Sequence, residues 1–248
     1  MSASYKLLAL LMLLSILFSA CSPSIDYCNS ETKVYNNIYQ YSTYPDLDKG
    51  NYSGFVSVDS LKASGDFGIG TLDHINGELI VLEGDVFQVL VTGEVVTPPD
   101  SALSPFATVC FFEGDNQFVS KMQIRTYDSL KIMLDNYTNS KTQPVAFRID
   151  GFYNSITLRS VPAQSKPYPV LSNVITQQKV FNHSNISGTM VGYWFPSNYS
   201  NIQAVGYHFH FISDDETIGG HVLNCSVETF SGEADYMDSV TVIGSTIQ

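Results

Sequence analysis

Three tight turns separate four apolar segments between residues 68 and 96, and this pattern most constrains the fold. The stretch GIGTLDHINGELIVLEGDVFQVLVTGEVV places INGE, LEGD and VTGE between runs rich in Val, Ile, Leu and Phe. Apolar runs of this length, bounded by Gly, Asn and Asp, are typical of strands joined by short turns. The pattern therefore predicts an antiparallel β-meander.

Strand-like segments continue along the chain, whereas helical patterns are few. FATVCFFEG, GTMVGYWFP, AVGYHFHFIS, GGHVLNCSVETF and DSVTVIGS each favour a strand, and PVAFRIDGFYNSITLRSV predicts two strands about Asp150-Gly151. DSLKASGDFGIG predicts a short helix that stops at Gly65, and YDSLKIMLDNYT predicts a helix capped by Asp128 or Ser129. These segments predict an α+β fold, mostly antiparallel and mixed β-sheets in two intertwined halves with few helices.

A proline-rich segment, PAQSKPYPVLSNV, is the best candidate for a connector between the halves. We therefore expect an N-terminal α+β half over 29–165. A β-rich C-terminal half over 166–248 would carry the histidine-rich segment discussed below. Both halves follow an N-terminal segment of different character.

The first 21 residues resemble an export signal. Lys6 precedes an apolar run from Leu7 to Phe18, and small residues follow it. The run is shorter than a comfortable membrane span, so a cleaved signal peptide over 1–21 and a secreted or extracytoplasmic protein are expected. A retained anchor, or a lipoprotein modified at Cys21, are the alternatives.

Glycosylation and cysteine chemistry depend on that export. Some of six N-x-S/T sequons would carry glycans in a host that glycosylates, unless these Asn- and Ser-rich loops contain the motif by chance. They begin at Asn51, Asn136, Asn182, Asn185, Asn198 and Asn224. No C-x-x-C pair occurs, which argues against a cysteine zinc site, and an oxidised pair among Cys28, Cys110 and Cys225 stays open.

The charge balance excludes one class of partner. The chain has 12 Lys and Arg against 24 Asp and Glu, a formal net charge of −12. Phosphate backbones are bound by clustered cations, so we expect no nucleic-acid partner.

Three of the five histidines lie close together in YHFHFISDDETIGGH. On a strand, His208 and His210 point to the same face, because residues two apart do so. A turn in SDDETIGG could return the chain and bring His221 beside them. Three converging imidazoles bind zinc or a similar divalent metal and leave a fourth position for water or substrate. A polar strand face and a cupin barrel are the competing interpretations.

Four blocks together resemble the alpha-acetolactate decarboxylase family. They are GDFGIGTLDHINGELIVLEGDVFQV, SPFATVCFFE, SITLRSVPAQSKPYPVL and GYHFHFISDDETIGGHVL, in the family's order and spacing. The resemblance extends from about Tyr39 to about Val242. It implies zinc-dependent decarboxylation of 2-acetolactate, a small 2-hydroxy-3-keto acid, to acetoin and carbon dioxide.

The resemblance also implies roles for individual residues. His208, His210 and His221 would be the metal ligands, Arg159 and Glu78 the catalytic residues, and Thr71 a substrate-binding residue. From local sequence alone, a position in solvent beside the turn at Asn76-Gly77 is favoured for Glu78. Arg159 could equally face water.

One departure leaves a second function open. Members of the family typically continue into a C-terminal tail that supplies a further carboxylate, and neither Glu233 nor Asp235 clearly matches it. The alternative is a secreted, non-catalytic module that binds a metal or a hydroxy acid. The oligomeric state stays open as well, with a homodimer among the assemblies that the sequence allows.

Overall fold

Strands account for most elements of the structure. The computed structural model describes residues 33–114, 116–120, 123–138 and 142–244. The strands are β1 (Asn37–Tyr41), β2 (Val56–Ser57), β3 (Phe67–Thr71), β4 (Glu78–Leu82), β5 (Asp85–Val89), β6 (Val95–Val96), β7 (Leu103–Ser104), β8 (Phe106–Cys110), β9 (Asn116–Ser120), β10 (Val145–Ser160), β11 (Lys179–His183), β12 (Ile186–Phe195), β13 (Gly206–Ser213), β14 (Gly219–Tyr236) and β15 (Ser239–Ile243). The helices are α1 (Tyr44–Asp48), α2 (Val58–Ser64), α3 (Tyr127–Thr138) and α4 (Leu171–Ile175).

The predicted meander is confirmed as the β3–β6 part of a seven-stranded sheet, with the order β15-β1-β8-β3-β4-β5-β6. Its successive strands pair antiparallel. The glycines of the three predicted turns, Gly77, Gly84 and Gly93, have φ values of 77°, 86° and 88°. A side chain is strained in this left-handed region, which explains why glycine occupies each turn.

The second large sheet is built around one long strand. The prediction of two strands about Asp150-Gly151 is wrong, because β10 runs unbroken and pairs with β12 on one side and β14 on the other. Gly151 itself has a partner on both sides, so no turn forms there. The order is β11-β10-β12-β13-β14-β9, and the added β10–β14 pairing joins β10, β12, β13 and β14 into a closed ring.

The two sheets share the chain in an intertwined way. β15 returns from the C-terminal part to pair in parallel with β1, and β9 and β10 from the N-terminal part belong to the second sheet. A two-stranded sheet of β2 and β7 lies apart from both. The fold class predicted from the sequence, α+β with mostly antiparallel and mixed sheets, is confirmed. The division into 29–165 and 166–248 stays a prediction.

The described helices are short. α2 stops before Gly65, as predicted. α3 begins at Tyr127, two or three residues earlier than a cap at Asp128 or Ser129 predicts, because the Thr126 hydroxyl accepts a hydrogen bond from the Ser129 amide at 3.1 Å. None of the described helices has both the length and the apolar character that crossing a membrane requires.

Alternation along β13 determines which way the histidines face. Phe209 and Phe211, both fully buried, enter an aromatic cluster with Phe147 and Tyr153. Side chains on a strand alternate, so His208 and His210 must face the other side. Each buried Phe contributes roughly 2–3 kcal/mol. The cluster therefore holds this strand with its histidines toward the first sheet.

Contacts between the sheets form a second cluster. Ile69 and Ile80 of the first sheet pack with Val191 and Ile212 of the second. The two described cysteines, Cys110 and Cys225, are buried free thiols in different clusters. No disulfide therefore joins these two, while Cys28 and the whole of the expected signal peptide lie outside the described residues.

Candidate active site

Three of the predicted site residues occupy one row across adjacent strands of the second sheet. The register pairs Arg159 with His221, and His221 with His210. The turn of residues 214–218 joins β13 to β14 as the expected hairpin. His210 and His221, with ten residues between them in the sequence, therefore lie directly opposite each other on adjacent strands. His208 lies two residues before His210 and shares its face. The hairpin thus brings all three histidines together.

The three imidazoles are arranged as ligands around a common point. His208 Nε2 lies 3.0 Å from His221 Nδ1. One ligand atom from each of the three histidines lies within 4.8 Å of the others. This spacing is short enough for one ion to contact all three.

A backbone carbonyl sets the tautomer of His210. Its Nδ1 lies 2.9 Å from the Leu79 carbonyl oxygen of the first sheet. A carbonyl oxygen only accepts hydrogen bonds, so Nδ1 carries the proton and donates it. The lone pair is then on Nε2, which is buried without a hydrogen-bond partner among the described residues. Metal-bound histidines are commonly oriented by such a bond from the other ring nitrogen.

The protonation state of the histidines also suits a cation. Burial, followed by the positive charge of Arg159, lowers the pKa of His208 to about 3. Burial likewise holds the pKa of His210 and of His221 well below the ordinary value. Neutral imidazoles are the form that binds metal. The donor set therefore fits zinc or a similar divalent cation.

Glu78 is the first residue of β4 and is buried, with 7% of its surface exposed. The structure thus excludes a solvent-facing position beside the Asn76-Gly77 turn. Its Oε2 lies 3.4 Å from His210 Nε2. Burial raises the pKa of Glu78 to about 7, although the positive charge of Arg159 opposes this shift.

Arg159 lines one cavity together with the three histidines. Its positive charge is hardly compensated by neighbouring side chains. Its Nη1 donates a long hydrogen bond of 3.4 Å to Gln178 Oε1, and its Nε is buried without a partner in the described part of the chain. The ion pairs of the described residues do not include Arg159. Most of its donors are therefore free to bind an anion.

Thr71 supports the turn that precedes Glu78. It ends β3, and its hydroxyl donates to the Gly77 carbonyl oxygen at 2.6 Å. The hydroxyl oxygen keeps its capacity to accept a hydrogen bond, and Thr71 lines the cavity described below. Thr71 is thus both a wall residue and a brace for the neighbouring turn.

All six predicted site residues line one cavity of about 260 Å³. Much of the remaining wall is apolar and comes from Leu47, Ile75, Phe106, Val161, Leu171 and Ile175. Tyr44 also lines it, and the sequence analysis missed Tyr44 because no motif distinguishes it and only the packing of α1 brings it here. Glu233 and Asp235 do not line the cavity. Glu233 accepts from Gln117, and Asp235 accepts from the Glu113 amide.

Comparisons with known proteins agree on one family. The family model described as alpha-acetolactate decarboxylase matches residues 38–245. An alpha-acetolactate decarboxylase of Methanosarcina mazei is 38% identical over 191 residues, covering 77% of this chain and 66% of that protein. The Brevibacillus brevis protein of the same name is 34% identical over 189 residues, covering 76% of this chain and likewise 66% of the relative. The chain thus matches just under two thirds of each relative.

A solved structure shows the same fold. The crystal structure of alpha-acetolactate decarboxylase from Bacillus subtilis strain 168 superposes with a TM-score of 0.80 at 30% identity. The superposition covers 83% of this chain and 88% of that one. From the family match, the relatives and the shared fold, we conclude that the chain belongs to the alpha-acetolactate decarboxylase family.

Proposed function

We propose that this protein decarboxylates 2-acetolactate to acetoin and carbon dioxide, with zinc or a similar divalent cation held by His208, His210 and His221. The observation that carries the proposal is the cavity itself, where three neutral imidazoles, one arginine and one carboxyl group converge. A divalent cation on the imidazoles would supply Lewis acidity toward the hydroxyl and ketone oxygens of the substrate.

Arg159 is the group suited to the negative charge of the substrate. Its guanidinium presents a planar fork of donors, which matches a carboxylate or an oxyanion. The bond between the carboxyl carbon and C2 breaks during the reaction, and its electron pair passes into the adjacent ketone. Arg159 orients the departing carboxylate and stabilises the charge that develops.

Glu78 is the carboxyl group that lines the cavity, and it would complete the reaction. Once carbon dioxide has left, C2 needs a proton, which an acid must deliver to one face. The side chain reaches the cavity from the first sheet, opposite the histidine strand.

An acetoin assay tests the proposed function directly. Purified mature protein loaded with zinc should form acetoin from 2-acetolactate well above the uncatalysed rate, and chelation should abolish the activity. Wild-type protein with a full complement of zinc but no acetoin formation would contradict decarboxylase activity. In that case the non-catalytic binding module, tested by calorimetry with a small hydroxy acid, becomes the better description.

Glu78→Gln is expected to slow turnover while metal binding is retained. Glutamine keeps the shape and hydrogen-bonding capacity of the side chain but has no acidic proton to deliver, so we expect a loss of roughly a hundredfold. Metal content and kcat should be measured on the same preparation. Glu83→Gln, at an exposed carboxylate on the β4–β5 turn, is the matched control and should leave both values unchanged. Normal turnover in Glu78→Gln would remove Glu78 from the proposed chemistry.

We further propose that the chain is exported and loses residues 1–21. The proposal is supported by the apolar run from Leu7 to Phe18, which precedes the family match at residue 38. All six sequon asparagines are exposed, so a glycosylating host would find them accessible. Intact mass and N-terminal sequencing of protein from the native host should show a start close to residue 22. Retention of Met1 would contradict cleavage, and a lipid at Cys21 would establish the lipoprotein alternative.

A further inference from the structure

Arg159 has an unusual environment for a cavity-lining arginine. In the described residues, the one hydrogen bond of its side chain goes to Gln178, whose Oε1 lies 3.4 Å from Nη1. Arg159 is partly buried, and arginines withdrawn from solvent are usually paired with a carboxylate, which neutralises their charge. Here the acceptor is a neutral amide, so the hydrogen bond directs the guanidinium without consuming its charge.

The backbone around Gln178 is fixed on both sides. Its amide donates to the Ile175 carbonyl oxygen at 3.1 Å, and Ile175 lines the cavity. One residue later β11 begins, and its Val180 pairs with Arg159 across the strands. Gln178 therefore lies diagonally across from Arg159. It stands between the hydrogen-bonded turn after α4 and the paired strand β11. Gln178 itself is not among the residues that line the cavity.

We propose that Gln178 is a positioning residue, whose neutral amide aims the Arg159 guanidinium into the cavity and keeps its full charge available for the substrate carboxylate. The inference rests on the proposed function, since that function supplies the carboxylate. A glutamate at this position would have the same length and the same acceptor, but it would form an ion pair with Arg159. The substrate would then compete with an internal carboxylate for the same donors.

Two substitutions at this position separate a positioning role from a structural one. Gln178→Glu keeps shape and acceptor and adds charge, while Gln178→Leu removes the acceptor and adds no charge. Gln177→Glu is the matched control, because Gln177 is the exposed neighbour and receives the same charge. Each variant is assayed for metal content, for kcat and KM with 2-acetolactate, and for the Kd of unreactive 2,3-dihydroxy-2-methylbutanoate by calorimetry.

We expect Gln178→Glu to raise KM and the analogue Kd about tenfold or more, the range of a hydrogen bond to a charged group. Gln178→Leu should lower kcat with a smaller change in Kd, and Gln177→Glu should match wild type. A purely structural role predicts the reverse order, with Gln178→Glu near wild type and Gln178→Leu the most impaired. That order, or equal effects of Gln178→Glu and Gln177→Glu, would overturn the inference.

The calorimetric measurement distinguishes this inference from the proposed function. If wild-type protein makes no acetoin but the analogue Kd follows the expected order, the decarboxylase proposal fails and the role of Gln178 stands. If wild-type protein is active and the order is absent, only the role of Gln178 fails. If wild-type protein neither makes acetoin nor binds the analogue, both are overturned.

Discussion

His210→Ala is expected to remove most of the bound divalent cation and, with it, measurable acetoin formation. His210 is 1% exposed, its Nδ1 is engaged by the Leu79 carbonyl oxygen, and its Nε2 has no hydrogen-bond partner among the described residues. Loss of groups that merely orient a ligand weakens metal binding about 10- to 100-fold, and loss of a ligand should cost at least as much. Metal content after dialysis, determined by elemental analysis, checks the expectation against about one ion per wild-type chain.

Two further variants make this test specific. His210→Ala also removes the hydrogen bond from Nδ1 to the Leu79 carbonyl oxygen, which costs about 1 kcal/mol of stability. His208→Ala removes a second proposed ligand whose hydrogen bond goes to His221 rather than to the backbone, so it should lose metal with less destabilisation. His183→Ala, at a histidine on β11 outside the cluster, should keep both metal and activity. Full metal retention in His210→Ala and His208→Ala would refute the metal site.

Arg159→Ala is expected to lower kcat by about a hundredfold or more, as removal of one preorganised donor commonly does. The metal should stay bound, because Arg159 is not a ligand. Its positive charge even opposes a neighbouring cation, since it adds to the larger effect of burial in lowering the pKa of His208. Arg159→Lys should rescue poorly, since a single ammonium group does not reproduce a planar fork of donors. The check is kcat together with metal content.

Arg148→Ala provides the matched control for charge removal. Arg148 lies on the same strand, β10, but forms ion pairs with Glu83 and Asp150 outside the cavity. Its removal should leave turnover unchanged. Wild-type turnover in Arg159→Ala would show that the catalytic groups are placed wrongly, even with the family assignment intact. Loss of metal in Arg159→Ala would point instead to a collapse of the cavity.

Local patterns in the sequence predicted the elements whose cause is itself local. The β3–β6 meander follows from alternating apolar runs and from turn glycines, which accept positive φ without strain. The β13–β14 hairpin follows in the same way from a polar turn, residues 214–218, between two strands. Because strand side chains alternate, the common face of His208 and His210 was also predictable.

Errors arose where pairing partners outweighed local signals. Asp150-Gly151 has the composition of a turn, yet β12 and β14 pair along both sides of this segment. The backbone hydrogen bonds from both neighbours keep the strand extended there. At α3, three hydroxyl or carboxylate side chains stand within four residues, and the choice of Thr126 as cap depends on where the chain enters the helix.

The sequence by itself determined the fold class, the histidine hairpin and, through its resemblance to a family, six of the residues that line the cavity. The tertiary structure alone decided how they act together. In the folded protein, Glu78 of the first sheet is buried beside His210 of the second, and Arg159 pairs with His221. Gln178 accepts a hydrogen bond from the Arg159 guanidinium. The physical reason is that turns and alternation depend on neighbours in the chain. Burial, pKa and charge compensation depend on residues that only the packed sheets bring together.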